Sequence, residues 1–252
     1  MAWPWAIPLG LLIGAVLGAI GGGGAILTVP ALIYIFGQGA GAATTGALII
    51  VGLTSLVGVI PHQRDGNVRW REGLTFALLG IAGAAAGSIA SVRVPDTVLT
   101  AAFSVLMLVV AAVMLRRLRG TRPDPQRKGW LAVIATATAV GLLTGFFGVG
   151  GGFAIVPALT LVLGFSMPAA VGTSLLVISI NAATALGTRL LGGTGGLDWP
   201  LLLAFSVTAA AGSLLGARVG KRLGPRVLTI SFVVLMIAVG LLMAAGSIPE
   251  LL

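Results

Sequence analysis

The sequence predicts an all-α polytopic membrane protein built from two copies of one unit. Three observations lead there. Of 252 residues, 58% are hydrophobic and 8% charged, with mean hydropathy +1.12, and a soluble domain of this size would be left with an apolar surface. Apolar runs long enough for a bilayer recur from end to end. The chain also matches itself when residues 14–37 are laid on 141–164.

Those two stretches read GAVLGAIGGGGAILTVPALIYIFG and GLLTGFFGVGGGFAIVPALTLVLG, and ten of the 24 positions are identical. Chance glycines account for some of the matches, but not for Val-Pro-Ala-Leu in register with them. A displacement of 129 aligns later parts: Trp70 with Trp199, Phe76 with Phe205, Gly83 with Gly212, Gly87 with Gly216, and VLTAAFSVLM (98–107) with VLTISFVVLM (227–236). An internal duplication follows, with a first membrane repeat over 1–115, a basic linker over 116–129 and a second repeat over 130–252.

Each repeat offers about five membrane segments, at 6–20, 25–37, 43–61, 73–91 and 97–115, then at 130–147, 152–164, 168–188, 199–217 and 227–245. The second segment of each is short. Thirteen helical residues reach about 20 Å where a hydrocarbon core is about 30 Å thick, so these segments are expected to stop part-way or lie inside the bundle. Trp3, Trp5, Trp70, Trp130 and Trp199 all fall beside segment ends, where an amphipathic ring suits the membrane edge.

Basic residues set the orientation. The linker, with six of them against Asp124, is expected in the cytoplasm, and the 62–72 loop suits the same side. In the second repeat the cluster moves to Arg218, Lys221, Arg222 and Arg226. Counting each Gly-broken pair as one crossing gives parallel repeats and exports that cluster. Counting it as two gives inverted repeats, keeps every strong basic cluster inside and leaves both termini outside. The inverted arrangement is preferred.

Composition excludes several chemistries. With no cysteine there is no disulfide, thiolate metal site or thiol nucleophile. The six acidic residues lie in loops, at segment ends or near the C-terminus, and the lone histidine, His62, is at a segment end. No catalytic residue, metal site or cofactor is expected inside the bilayer. The net charge of +9 sits in inter-segment loops, where orientation explains it without nucleic acid. No Lys or Arg precedes the first apolar run, so it is read as a mature segment, not a signal peptide.

The glycine tracts at 21–24 and 148–152 each lead into a short helix with a proline five to nine residues on. Irregular backbone at membrane depth is tolerated only where protein buries it or where it lines a cavity. A helix restarting after such a break presents free N–H groups and the positive end of its dipole, which suits an anion without a charged side chain. Gly22, Gly23, Gly24, Gly150, Gly151 and Gly152 are therefore candidate substrate-binding positions near the midplane, with close packing as the alternative. GAAAG (83–87) and GSLLG (212–216) are read as packing faces.

Polar residues on the third segments join the candidates: Thr45 and Thr54 in the first repeat, Thr173, Ser174 and Asn181 in the second. Hydroxyls and an amide donate to an anion without the desolvation cost of a buried cation, although interhelical hydrogen bonding uses the same groups. His62 corresponds to Arg189, each at the end of its third segment. Both are candidate gating or anion-attracting groups, with interface anchoring as the alternative.

Taken together, GGGGAILTVPAL (21–32), GVGGGFAIVPAL (148–159) and VGTSL (171–175) resemble the TauE/SafE sulfite-exporter family of membrane permeases over nearly the whole chain. The first repeat departs from the pattern at 45–47, reading TGA where the second reads GTS. The resemblance implies transport, often outward, of small sulfur-containing anions such as sulfite or organosulfonates. The expected protein is thus a multi-pass transporter of the inner cell membrane, with the anion and the lipid bilayer as partners and homodimerisation permitted by glycine-rich faces. A channel, a non-transporting subunit and a lipid-phosphate enzyme are the rival classes.

Overall fold

The computed structural model describes residues 3–91, 96–119, 130–147, 152–191 and 197–247. In lipid the backbone must satisfy its own hydrogen bonds, and every regular element among these residues is helical. The order is α1 (Trp3–Ile20), α2 (Gly23–Pro30), α3 (Ala40–Arg64), α4 (Trp70–Ser91) and α5 (Asp96–Arg119), then α6 (Trp130–Phe147), α7 (Gly152–Pro157), α8 (Met167–Leu191), α9 (Trp199–Arg222) and α10 (Pro225–Ser247). Among the described residues, four stretches are long and apolar enough to cross a membrane: Ala42–Arg64, Met167–Gly187, Trp199–Arg222 and Pro225–Ala244. Shorter apolar helices accompany them.

The two Val-Pro-Ala-Leu segments fold alike. Proline brings no N–H to the helix ladder, and after Pro30 and Pro157 the helix widens into a π turn, over Ala31–Ile35 and Ala158–Val162. The Phe36 N–H donates to the Ala31 carbonyl and the Gln38 N–H to that of Leu32, just as Leu163 donates to Ala158 and Phe165 to Leu159. Gly37 and Gly164 take positive φ, 66° and 70°, where the chain turns out of each π segment.

Glycines bring backbones together. In α1, Gly14 lies on Ala209 and Gly18 on Ser213 of α9, while Gly212 of α9 lies on Leu11 and Gly216 on Ala15. Gly83 and Gly87 of α4 meet Thr138 and Leu142 of α6 in the same way. Both pairs run parallel. The glycines of GAAAG (83–87) and GSLLG (212–216) thus pack helix on helix within the chain.

α1 lies along α9 and α6 along α4; α2 packs on α7, α3 on α8 and α5 on α10; α3 also meets α9, and α4 meets α8. Replacing each helix by the one five places on leaves that set of pairs unchanged. α3 and α8 are antiparallel, with Gly52 against Ala182 and Gly58 against Leu175. α3 and α9 are parallel, with Gly46 against Leu202, Gly58 against Ser213 and Asp65 paired to Lys221. The chain therefore reverses after α1: Gly24 lies back on Leu17 and Ile13.

The larger core joins Phe153 and Val156 of α7 and Leu159 of the π turn after it to Leu175 and Ile178 of α8 and to Met107, Phe232 and Met236 of α5 and α10. A smaller one gathers Leu32, Ile50 and Phe205 between the π turn, α3 and α9. Outside, Leu203, Val207, Leu215 and Val219 form an exposed apolar stripe down α9, and Leu53, Leu56 and Ile60 another on α3. Such stripes are costly in water and suit lipid. Trp5, Trp70, Trp130 and Trp199 are exposed close to helix starts.

Several helices outrun their apolar stretch. α3 continues to Arg64 and α9 to Arg222, past the expected ends at 61 and 217, because long basic side chains extend from a helix toward the headgroups. α5 likewise includes Arg116 and Arg119, expected in the linker, while 120–129 lie outside the described residues.

Candidate functional site

The first break begins where α1 runs out. The Gly21 N–H still donates to Leu17 (2.8 Å), but Gly21 itself takes φ 79° and turns the chain. Gly22 then caps α2 with φ −50° and no side-chain hydrogen bond, and α2 starts at Gly23. The first N–H groups of α2 thus receive no side-chain cap, which leaves the dipole's positive end without its usual neutralising partner.

Three elements converge on this point. A methyl group on Gly22 would overlap the Gly152 carbonyl, and one on Gly152 would lie 2.8 Å from the Gly22 oxygen, so the backbones meet where no side chain fits. A methyl on Gly21 would stand 2.6 Å from the Ser174 hydroxyl and 3.3 Å from the Val171 Cα. The glycine tract of the first half therefore touches both the start of α7 and the VGTSL motif of α8. Gly152 is in turn beside Ile178, near the middle of α8, whereas Ala19 lies against Gly220 in the last turn of α9. The break accordingly spans from the bundle interior toward the end that carries the basic loops. Gly150 and Gly151 fall outside the described residues.

His62 completes the break from α3. Its ring is buried, and Nε2 lies 2.9 Å from the Gly18 carbonyl oxygen. A carbonyl only accepts, so Nε2 carries the proton. Gly18 is in the last turn of α1, where carbonyls lose their helical partners, and the imidazole supplies one. Interface anchoring at the water edge is thereby corrected: the ring points into the protein because an orphan carbonyl draws it there. Arg189 falls in the last turn of α8, and its side chain lies outside the described residues.

The polar candidates divide by what they already hold. Thr173 Oγ1 accepts from the Arg69 N–H at 3.1 Å, tying the α3–α4 loop to α8. The Ser174 hydroxyl donates to Val171 at 2.8 Å while facing Gly21. Thr45 is buried at the other end of α3. Thr54 Oγ1 and Asn181 Oδ1 are buried with no hydrogen-bond partner, and the α3–α8 register places them at a similar level. Sequence reasoning missed three more buried hydroxyls in the same state, Ser55, Ser206 and Ser213. Ser213 faces Gly58, where a methyl would stand 2.6 Å from its oxygen. Buried polar groups are nearly always paired, so unpaired ones along the α3–α8–α9 seam mark a polar track.

Fold and site define a helical membrane protein in which the starts of two short helices, α2 and α7, meet inside the bundle. The family model for the sulfite exporter TauE/SafE matches residues 6–243, and the chain belongs to this family of membrane transporters. A probable membrane transporter protein of Xylella fastidiosa (strain 9a5c) is 34% identical over 220 residues, covering 84% of this chain and 83% of that protein. Probable membrane transporter proteins YunE of Bacillus subtilis (strain 168) and MJ0441 of Methanocaldococcus jannaschii are 24% and 23% identical, over 95% and 94% of this chain and 96% and 95% of their own lengths. No solved structure matches the chain.

Proposed function

We propose that this transporter carries small sulfur-containing anions such as sulfite or organosulfonates outward across the inner cell membrane, as two inverted repeats whose glycine breaks hold the anion between them. The observation that carries this reading is the contact of Gly21 and Gly22 with Ser174 and Gly152. It brings uncapped backbone and a hydroxyl to one place inside the bundle, and anions are well served by N–H groups at a helix start. The exchange-symmetric packing and the antiparallel α3–α8 pair support inverted repeats, and the Asp65–Lys221 pair supports one side for both loop clusters. That side is the cytoplasm in this reading.

Export needs no acidic relay. Moving one negative charge out of a negative-inside cell gains about 2.3 kcal/mol per 100 mV. The described carboxylates cap or begin helices: Asp65 ends α3, Glu72 is in the first turn of α4, and Asp198 caps α9 by accepting from the Leu201 N–H.

The test is efflux of sulfite, sulfoacetate, taurine, sulfate and chloride from proteoliposomes, with charge movement recorded alongside. Saturable, current-carrying efflux of a sulfur anion is expected. Unsaturable flux would make it a channel, and folded protein without any anion flux would leave a non-transporting subunit.

A further inference from the structure

A cavity of about 290 Å³ opens where α3 and α9 end and α8 and α10 begin. Its polar wall is made by His62, Asp65, Asn67 and Lys221. Lys221 Nζ stands 2.5 Å from Asp65 Oδ1, with the lysine two-thirds exposed and the aspartate one-quarter. An ion pair so open to solvent adds little to folding and separates easily. Ala19 lines the same cavity, two residues before the Gly21 turn, and His62 reaches through its floor to the Gly18 carbonyl. Cavity and glycine break therefore share a wall.

We propose that this cavity is the docking site from which a small oxyanion reaches the glycine break, with Lys221 as the group that holds it and Asp65 as the carboxylate it displaces. The inference rests on the anion-transport reading and adds the entry site to it. Asp65 is the stand-in: its oxygen occupies the place at the ammonium that a sulfite or sulfonate oxygen takes, and the Asn67 amide and the backbone around it line the remaining space. Asp65 is then a competitor for Lys221, and the site fills by exchange of one anionic oxygen for another.

A plainer role exists for the same residues. Lys221 and Arg222 are in the last turn of α9, where cations complement the helix dipole, and Asp65 caps α3. As a mere brace between two helix ends, the pair would lose the same thing whichever partner was removed. As a docking site it responds with opposite signs, because removing Asp65 frees Lys221 while removing Lys221 leaves Asp65 to repel the substrate.

The chain has no cysteine, so Leu223→Cys places one reporter thiol on the cavity wall, with Pro168→Cys as a second reporter should the first fail to fold. Reagents are the anionic sulfonatoethyl and cationic trimethylammonioethyl methanethiosulfonates, applied to the full-length protein. The anionic reagent is expected to react faster; Lys221→Gln lowers the anionic-to-cationic rate ratio roughly fivefold and Asp65→Asn raises it by a similar factor. No charge preference, or both variants moving the ratio the same way, overturns the proposal. The half-saturation concentration for sulfite presented from this face is measured in parallel: Lys221→Gln should raise it and Asp65→Asn lower it. Charge-selective labelling without sulfite flux would sink the sulfite reading and leave the docking site standing; sulfite flux without charge-selective labelling would do the reverse.

Discussion

Gly22 and Gly152, 130 residues apart in the chain, lie so close that neither backbone leaves room for a methyl group on the other. Gly22 precedes the first residue of α2 and Gly152 is the first residue of α7, so the contact joins the starts of the two short helices inside the bundle. Glycine is needed at position 22 for space alone, because its φ of −50° is one any residue adopts.

Gly22→Ala is therefore expected to act by pushing α2 from α7, at about 1–3 kcal/mol of stability, and to cut transport per folded protein. Gly152→Ala should do the same more weakly, since its methyl would meet the Gly22 oxygen at 2.8 Å. Gly39→Ala is the control: nothing lies within 4 Å of its missing methyl, and its φ is −60°. Thermal unfolding in detergent together with proteoliposome flux checks all three, and equal effects at 22 and 39 would remove the contact's significance.

His62→Leu leaves the carbonyl of the buried Gly18 without its partner, at an expected cost of about 1–3 kcal/mol. His62→Gln keeps a donor of similar reach and should recover part of that loss. Melting temperatures of the two variants provide the check. A leucine variant as stable as wild type would mean that the carbonyl finds another donor.

Much of this architecture is legible in the sequence, and the remainder fails for identifiable reasons. Helix starts at Trp70, Trp130 and Trp199 coincide with tryptophans the chain places at its membrane edges. Ends are harder to read, because hydropathy marks where the apolar stretch stops, whereas Arg64 and Arg222 stay helical beyond it. Self-comparison singled out both glycine tracts; the structure describes the break at Gly21 and Gly22, while 148–151 lie outside the described residues. It had no means of finding Ser55, Ser206 or Ser213, whose counterparts in the other half are Ala182, Ala77 and Ala84. His62 reads as an edge residue because its acceptor, Gly18, lies 44 residues away and is freed only by the break that follows it.

The direction of α3 against α8 is directly testable. A methyl on Gly52 would stand 3.2 Å from the Ala182 Cβ, near the Cβ separation of about 3.5–4.5 Å that a disulfide requires. In the otherwise cysteine-free chain, Gly52→Cys with Ala182→Cys is expected to oxidise to an intramolecular crosslink, read as a reducible shift on gel electrophoresis. A parallel α3–α8 pair centred at the same level would set residue 52 nearest 179, so Gly52→Cys with Ser179→Cys crosslinking in preference to the 52/182 pair would argue for parallel repeats.

Thr54 and Asn181 separate a role in transport from a role in folding. A buried hydroxyl with no partner contributes nothing by hydrogen bonding and costs its desolvation, so Thr54→Val, nearly the same shape, should leave stability unchanged or raise it by about 1 kcal/mol. Asn181→Leu should behave similarly. If these groups meet the anion as it passes between α3 and α8, both variants lose flux while gaining or keeping stability, a combination that a purely structural polar group does not produce. Structural hydrogen bonding predicts the opposite: each replacement would lower the melting temperature, and flux would fall only in proportion to the folded protein lost. Melting curves and sulfite efflux measured on the same preparations decide between them.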